Sequence, residues 1–135
     1  MSNKKAGNDF EQEFCKMLSN AGFWAHNMAN RKNGQPADVI AAKDGLAYLF
    51  DCKDCANDVF QLSRIEDNQK AAMEKWNKCG NYDAMFALST SAGVYIIPCT
   101  IMSMINKKSL NLDDIAYNGV RLDVWLGILE GKYEY

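Results

Sequence analysis

Several features that would assign the chain to a familiar structural class are missing from its 135 residues. No apolar run approaches the length that crosses a bilayer, and residues 1–9 are too polar for a secretory signal, so we expect a cytoplasmic protein with no membrane partner. Five cysteines are an odd number without an export signal, which favours reduced thiols over a disulfide framework. Only two prolines occur, and 48% apolar and 24% charged residues predict an ordinary globular fold rather than disorder or a repeat.

The chain also lacks an excess of basic residues. It has 15 Lys and Arg against 17 Asp and Glu, which gives a net charge of −2. Nucleic-acid-binding domains are typically basic, because neutralising phosphates releases counterions and drives affinity. Any nucleic-acid surface must therefore be local, and the candidate basic pairs are Lys4-Lys5, Arg31-Lys32 and Lys107-Lys108. A cluster of metal-binding carboxylates would lower the net charge in the same way, so composition neither supports nor excludes this class of substrate.

Apolar spacing predicts one helix near the start of the chain. The residues that recur at helical spacing are Phe10, Phe14, Met17, Leu18 and Ala21. Asn8 or Asp9 can cap the start of this helix, and Gly22 ends it. An extended segment over residues 23–28 follows, and residues 30–35 form a polar turn.

Two further strands are predicted at Ala37–Ala42 and Leu46–Lys53. They are separated by Lys43-Asp44-Gly45, and an Asp-Gly step between apolar runs is a strong hairpin signal. Residues 54–62 are predicted to form a loop. The sequence therefore predicts a hairpin whose two strands lie side by side.

The second half of the chain begins with the capping-box pattern Ser63-x-x-Glu66, which predicts a second helix. The apolar face of this helix and its end are assigned to Ile65, Ala72, Met73, Trp76 and Cys79-Gly80-Asn81. Ala84–Ser89 and Val94–Ile97 predict another strand pair, Thr100–Asn106 a short helix, and the apolar tail from Gly119 stays unassigned. An order of helix, three strands, helix and two strands indicates a single α/β domain over residues 1–135, with a central mixed sheet flanked by helices.

A set of polar residues in these elements matches the needs of phosphodiester hydrolysis. That reaction requires a hydroxide nucleophile and stabilisation of negative charge, and Mg²⁺ supplies both when a few hard oxygens hold it. Asp51 and Lys53 are two apart in a strand and point to the same side, and the hairpin can bring Asp38 beside Asp51. Glu11 on the first helix and Gln69, which is polar at an apolar position of the second, complete the set.

These residues carry a resemblance to a known superfamily. Asp38 followed by Asp51-Cys52-Lys53 resembles the PD-(D/E)XK signature of restriction-endonuclease-like nucleases. The wider run, over about residues 8–98, is more similar to the RecU type of Holliday-junction resolvase. The similar features are Asn8-Asp9-Phe10-Glu11, Ala37-Asp38, Phe50-Asp51-Cys52-Lys53, and Phe60-x-Leu leading to Asp67-Asn68-Gln69.

The resemblance implies a restriction-endonuclease-like fold and a Mg²⁺- or Mn²⁺-dependent endonuclease, homodimeric and acting on branched DNA in recombination and repair. The residues that it implies for the site are Glu11, Asp38 and Asp51 as metal ligands, Lys53 to assist the attacking water, and Gln69 to orient the site. This chain departs from the type in two ways. The second acid is Asp51 where Glu is common, and the stretch between Met28 and Asp38 is short where the RecU type carries a long insertion that engages the junction.

Four of the five candidate catalytic residues also have a purely structural explanation. Asp51 and Lys53 can form a solvated ion pair on a strand face. Glu11 can complete a capping box if Asn8 is the N-cap. Gln69 can be a core amide whose hydrogen bonds are satisfied.

Alternatives also stay open for the function. Arg31 and Lys32, just before Asp38, can contact DNA phosphates or form an ordinary exposed turn. The nuclease can act on non-branched DNA, or the chain can be an inactive DNA-binding module of the same fold. The Cys52-x-x-Cys55 motif raises a thiol-redox or zinc function, although a redox motif of this kind normally opens a helix.

Overall fold

A computed structural model of the chain describes residues 3–28 and 37–132, with side chains from residue 9 onward. The helices are α1 Asn3–Asn20, α2 Asp67–Lys78, α3 Cys99–Met104, α4 Leu112–Asn118 and α5 Leu122–Leu129. The strands are β1 Trp24–Asn27, β2 Val39–Lys43, β3 Leu46–Asp54, β4 Phe60–Gln61, β5 Met85–Thr90, β6 Gly93–Pro98, β7 Ser109–Leu110 and β8 Val120–Arg121. None of the helices in these ranges is long and apolar enough to span a membrane.

The first helix begins earlier than the sequence predicted. It starts at Asn3 rather than after an N-cap at Asn8 or Asp9, so that prediction is wrong. Lysine and alanine in this stretch are good helix formers, which favours the longer helix. The helix ends as predicted, because Gly22 adopts a φ of 93° that other residues rarely take.

Six strands form one mixed sheet in the order β1-β2-β3-β5-β6-β8. All neighbours are antiparallel except β3 and β5, which are parallel because α2 carries the chain across between them. The predicted order of helix, three strands, helix and two strands is confirmed. The tail that the sequence left unassigned supplies α4, the edge strand β8 and α5.

The β2–β3 hairpin turns at Asp44 and Gly45, as predicted. Both residues have positive φ, 52° and 79°, which is the conformation that a two-residue hairpin turn requires. The turn fixes a register in which Val39 lies opposite Phe50. The same register places Asp38 opposite Asp51, and Asp38 N donates a hydrogen bond to Phe50 O at 3.0 Å.

Helices cover both faces of the sheet. On one face, Phe14 of α1 packs edge-on against Phe50 of β3 at 4.9 Å between ring centres, and Trp125 of α5 closes the same cluster. On the other face, Met73 of α2 is fully buried with apolar residues of α3 and α4. The end of β3 therefore lies between two helical layers.

The segment from residue 55 to α2 is more ordered than the predicted loop. It contains two short 3₁₀ turns and β4, which pairs with β7 in a separate two-stranded ribbon. The second turn, Leu62–Arg64, displaces the start of the helix, so the capping box joins Glu66 and Gln69 and not Ser63 and Glu66. Gln69 thereby occupies the first turn of α2, directed toward β3.

Candidate active site

The end of β3 alternates between the two faces of the sheet. Phe50 and Cys52 are buried in the apolar cluster that includes α1. Asp51 and Lys53 face the other way, toward α2. Because β3 is a central strand with partners on both sides, the side chain of Asp51 is fully buried. A carboxyl group is thus placed where a core would normally hold an apolar residue.

Asp38 lies at the start of β2 and is held in a fixed position. Its Oδ2 accepts a hydrogen bond from the backbone N–H of Cys52 at 2.7 Å. This bond ties the carboxyl group to the strand that carries Asp51. The two acids therefore share one side of the hairpin, as expected from the sequence.

Asp51 is the least satisfied group in the site. Neither of its carboxyl oxygens has a hydrogen-bond partner among the described residues. Lys53 Nζ lies 3.5 Å from Oδ1, which is an ion-pair distance without the geometry of a hydrogen bond. Burial raises the pKa of Asp51 well above its ordinary value, the Asp38 carboxyl raises it further, and Lys53 lowers it.

Glu11 of α1 approaches Asp38 from the helix. Burial raises its pKa to about 7, the charge of Asp38 and a hydrogen bond with Asp38 raise it as well, and Lys53 lowers it. Glu11 is therefore within hydrogen-bonding distance of Asp38. The capping-box explanation of Glu11 is wrong, because α1 begins eight residues earlier at Asn3.

Gln69 connects the site to α2. Its Oε1 lies 3.4 Å from Lys53 Nζ and 3.4 Å from the backbone N–H of Glu66. The amide therefore caps the helix and holds the lysine at once. The structural explanation of Gln69 and the functional one are compatible, because one oxygen accepts both hydrogen bonds.

These carboxyl groups are chemically suited to a hard divalent cation. Three acids and one lysine lie in a mostly buried region, and a cation would coordinate the Asp51 oxygens, which accept no hydrogen bond from the described residues. Within residues 3–28 and 37–132, no three His, Cys, Asp or Glu side chains already have donor atoms gathered in metal-binding geometry.

The thiols beside the site are poorly suited to redox or zinc chemistry. Burial raises the pKa of Cys52 well above its ordinary value, and it raises that of Cys55 to about 11. Thiols of this kind stay protonated at neutral pH, whereas nucleophilic or metal-binding cysteines are thiolates. This environment disfavours a function for Cys52-x-x-Cys55.

Some predicted contacts cannot be placed, and one basic residue was passed over. Arg31 and Lys32 lie outside the described residues. Arg64, which the sequence analysis did not single out, donates a hydrogen bond to the carbonyl of Asp54 at the end of β3, at 3.0 Å. The available signal was its position, because it is the basic residue in the short segment between Lys53 and the helix that carries Gln69.

Comparison with known proteins gives two similarities. Residues 22–129 match the family described as recombination protein U, so the match includes the tail and leaves Glu11 outside. The solved structure of Hjc, a Holliday junction resolvase from the archaeal hyperthermophile Archaeoglobus fulgidus, is similar with a TM-score of 0.71 and 17% identity, covering 90% of this chain and 100% of that one. No curated protein sequence matches the chain. The structural likeness confirms the predicted fold.

Proposed function

This chain belongs to the recombination protein U family of Holliday-junction resolvases, and from that premise we propose that it is a metal-dependent endonuclease that nicks branched DNA. The family and the fold make it a resolvase-like nuclease of DNA recombination. The proposal adds the identity of the catalytic residues, the requirement for a divalent cation and the assembly of the enzyme.

The observation that carries the proposal is the burial of Asp51 without hydrogen-bond partners among the described residues. A buried carboxyl group without hydrogen bonds is unfavourable, and the fold could avoid it with an apolar side chain at this position. The neighbouring carboxyl group of Asp38 adds repulsion between like charges, which further disfavours ionisation of Asp51. A bound cation would remove both penalties, which gives a physical reason for acids at these positions.

We assign Asp38 and Asp51 as the principal ligands of Mg²⁺ or Mn²⁺, with Glu11 completing the set. Such an ion, when bound, lowers the pKa of water and neutralises negative charge on the phosphate. Backbone support from Cys52 N fixes the Asp38 carboxyl before any substrate arrives. Preorganisation of this kind avoids reorganisation during the reaction.

Lys53 supplies the positive charge that belongs to the chain itself. Its ammonium group lies between Asp51 and Gln69, and it is largely buried. Placed beside the scissile phosphate, it stabilises the charge that develops in the transition state and helps to orient the attacking water. Gln69 acts as a positioning residue, because it holds Lys53 rather than the substrate.

The assembly is proposed on geometric grounds. A resolvase nicks two strands that are related by symmetry, and a two-fold homodimer presents two identical sites to them. The cytoplasm stays the predicted location.

The test is a cleavage assay with a four-way junction, a linear duplex and a single strand, each with Mg²⁺, Mn²⁺ or EDTA. We expect metal-dependent nicking of the junction that Asp51→Asn abolishes. Asp123→Asn is the matched control, because this exposed carboxylate pairs with Arg121 and is distant in sequence from the candidate site residues. Equal activity of wild type and Asp51→Asn would refute the site. Activity without preference for the junction would refute only the branched substrate.

A further inference from the structure

Arg64 carries a positive charge that the fold does not use in an ion pair. It ends the turn Leu62–Arg64 and is exposed. The ion pairs formed by the described residues do not include it. An exposed, unpaired arginine is ordinarily free to sample many rotamers, so a fixed one calls for an explanation.

Two contacts hold the guanidinium group in place. It donates a hydrogen bond to the backbone carbonyl of Asp54 at 3.0 Å, and its central carbon lies 5.7 Å from the ring centre of the buried Phe60. A guanidinium has five N–H donors, so the bond to Asp54 leaves most of them available. The guanidinium group is thus held in position, and most of its N–H donors stay available to a ligand.

Its location connects it with the candidate catalytic lysine. Asp54 directly follows Lys53, and adjacent Cα atoms are about 3.8 Å apart. On its other side, the chain runs from Arg64 through Glu66 to Gln69, whose Oε1 contacts the same lysine. Arg64 is therefore anchored at the edge of the candidate active site.

The small ribbon brings a second cation to the same segment. Gln61 of β4 pairs with Ser109 of β7, and the backbone N–H of Leu62 donates to the carbonyl of Lys108 at 3.0 Å. Lys108 is exposed and makes no ion pair with a described residue, whereas its neighbour Lys107 pairs with Asp114 at 2.7 Å. Of these two adjacent lysines, Lys107 is therefore engaged in an ion pair and Lys108 is available to a ligand.

We propose that Arg64, supported by Lys108, binds the phosphate backbone of the DNA strand beside the scissile bond. This rests on the proposed nuclease function and names a contact that fixes the substrate. A chain of net charge −2 needs such local contacts, and a guanidinium fork matches the oxygens of a phosphate. Asp54 and Asp58 lie near the segment, so we expect a directed contact rather than a broad positive field.

The experiment measures binding of a fluorescent four-way junction at several salt concentrations between about 50 and 200 mM. Ca²⁺ replaces Mg²⁺, and a gel verifies that the DNA stays intact. We expect Arg64→Gln to weaken binding about tenfold at low salt and to reduce the slope of log Kd against log salt by about one. Lys108→Gln should act in the same direction with a smaller effect.

Lys107→Gln is the matched control, because it removes the same charge from a lysine already paired with Asp114. It should leave the slope unchanged, and Arg64→Lys, which keeps the charge, should restore most of it. Under cleavage conditions, Arg64→Gln should raise KM and leave kcat at saturating DNA unchanged. A wild-type slope for Arg64→Gln, or equal slopes for Arg64→Gln and Lys107→Gln, would overturn the proposal. Cleavage that persists with such a result would leave the nuclease function standing.

Discussion

Two Asp–Lys pairs in this protein contain the same groups in opposite surroundings. Lys107 Nζ lies 2.7 Å from Asp114 Oδ1 on the surface, and Lys53 Nζ lies 3.5 Å from Asp51 Oδ1 inside the fold. Asp114 also caps α4 together with Asn111, and the hydrogen bonds from Lys107 and from the backbone N–H of Asn111 lower its pKa. Asp51 has no hydrogen-bond partner among the described residues, and its pKa is raised well above the ordinary value.

This difference shows how a carboxylate with a structural role can be distinguished from a candidate catalytic carboxylate. Asp114 is satisfied by the chain alone, and its removal leaves a slightly weaker helix end. Asp51 accepts no hydrogen bond from the described residues and has only the more distant Lys53 beside it, which is a stability cost that a purely structural residue would not carry. Strongly perturbed acids in a shared space are candidates for function, and here the perturbation has a geometric cause.

Asp51→Asn should produce the largest effect. If Asp51 is a metal ligand, we expect cleavage to fall about 10³-fold or more, because metal and transition-state stabilisation are lost together. In EDTA the same variant should be at least as stable as wild type, because a neutral amide replaces a buried acid. Cleavage rates and thermal unfolding measured on the same preparations check both parts.

Asp114→Asn serves as the control for this prediction. It should keep wild-type cleavage and lower the Tm modestly, since it loses the ion pair with Lys107 and the cap. A variant of Asp51 that is destabilised and still active would reverse the contrast between the two carboxylates.

Lys53→Met should have the next largest effect. Its ammonium group is largely buried between Asp51 and Gln69, so removing it should lower cleavage about 10²- to 10³-fold. Lys107→Met, which removes the lysine of the surface pair, should leave the rate unchanged. Single-turnover rates at saturating DNA measure this, and equal rates for the two methionine variants would show that Lys53 is only structural.

The sequence predicted the acid pair because local signals decide its geometry. An Asp-Gly turn fixes the register of the hairpin, and the register alone puts Asp38 opposite Asp51. The same-side placement of Asp51 and Lys53 follows from strand periodicity. These relations need no knowledge of the rest of the fold.

Other features depend on contacts between distant segments and stayed out of reach. The β4–β7 ribbon pairs Phe60 with Leu110 through two-residue strands, which are too short to show a periodicity. The capping box was assigned three residues too early, because Ser63-x-x-Glu66 fits the usual sequence pattern, whereas the turn Leu62–Arg64 moves the helix start and makes Glu66 the N-cap.

Gln69 offers a smaller and more selective test. Gln69→Leu should lower cleavage about 10- to 100-fold, because it releases Lys53 and leaves the candidate metal-binding acids unchanged. Gln69→Glu keeps an oxygen acceptor for Lys53 and for Glu66 N, so it should recover most of the loss. If both variants lose the same activity in proportion to their loss of Tm, Gln69 only caps α2.

The pH dependence of stability should show the smallest effect and should differ in sign between the two regions. Glu11 has an ordinary pKa of 4.5 and a folded pKa of about 7, so between these values the folded protein binds more protons than the unfolded chain. Its contribution to stability is therefore fully present below pH 4.5 and lost as the pH rises to 7. Asp51 acts in the same direction. The lowered pKa of Asp114 has the opposite sign, so its contribution is lost on acidification.

Thermal unfolding in EDTA measures this contrast directly. The Tm of the wild type should fall between pH 4.5 and 7, and Glu11→Gln should flatten that fall. Added Mg²⁺ should raise the Tm more above pH 7 than below pH 4.5, because a cation binds the deprotonated acids. Asp114→Asn should leave this response to Mg²⁺ unchanged. An equal Mg²⁺ effect at both ends of the range would mean that the buried acids do not bind the ion.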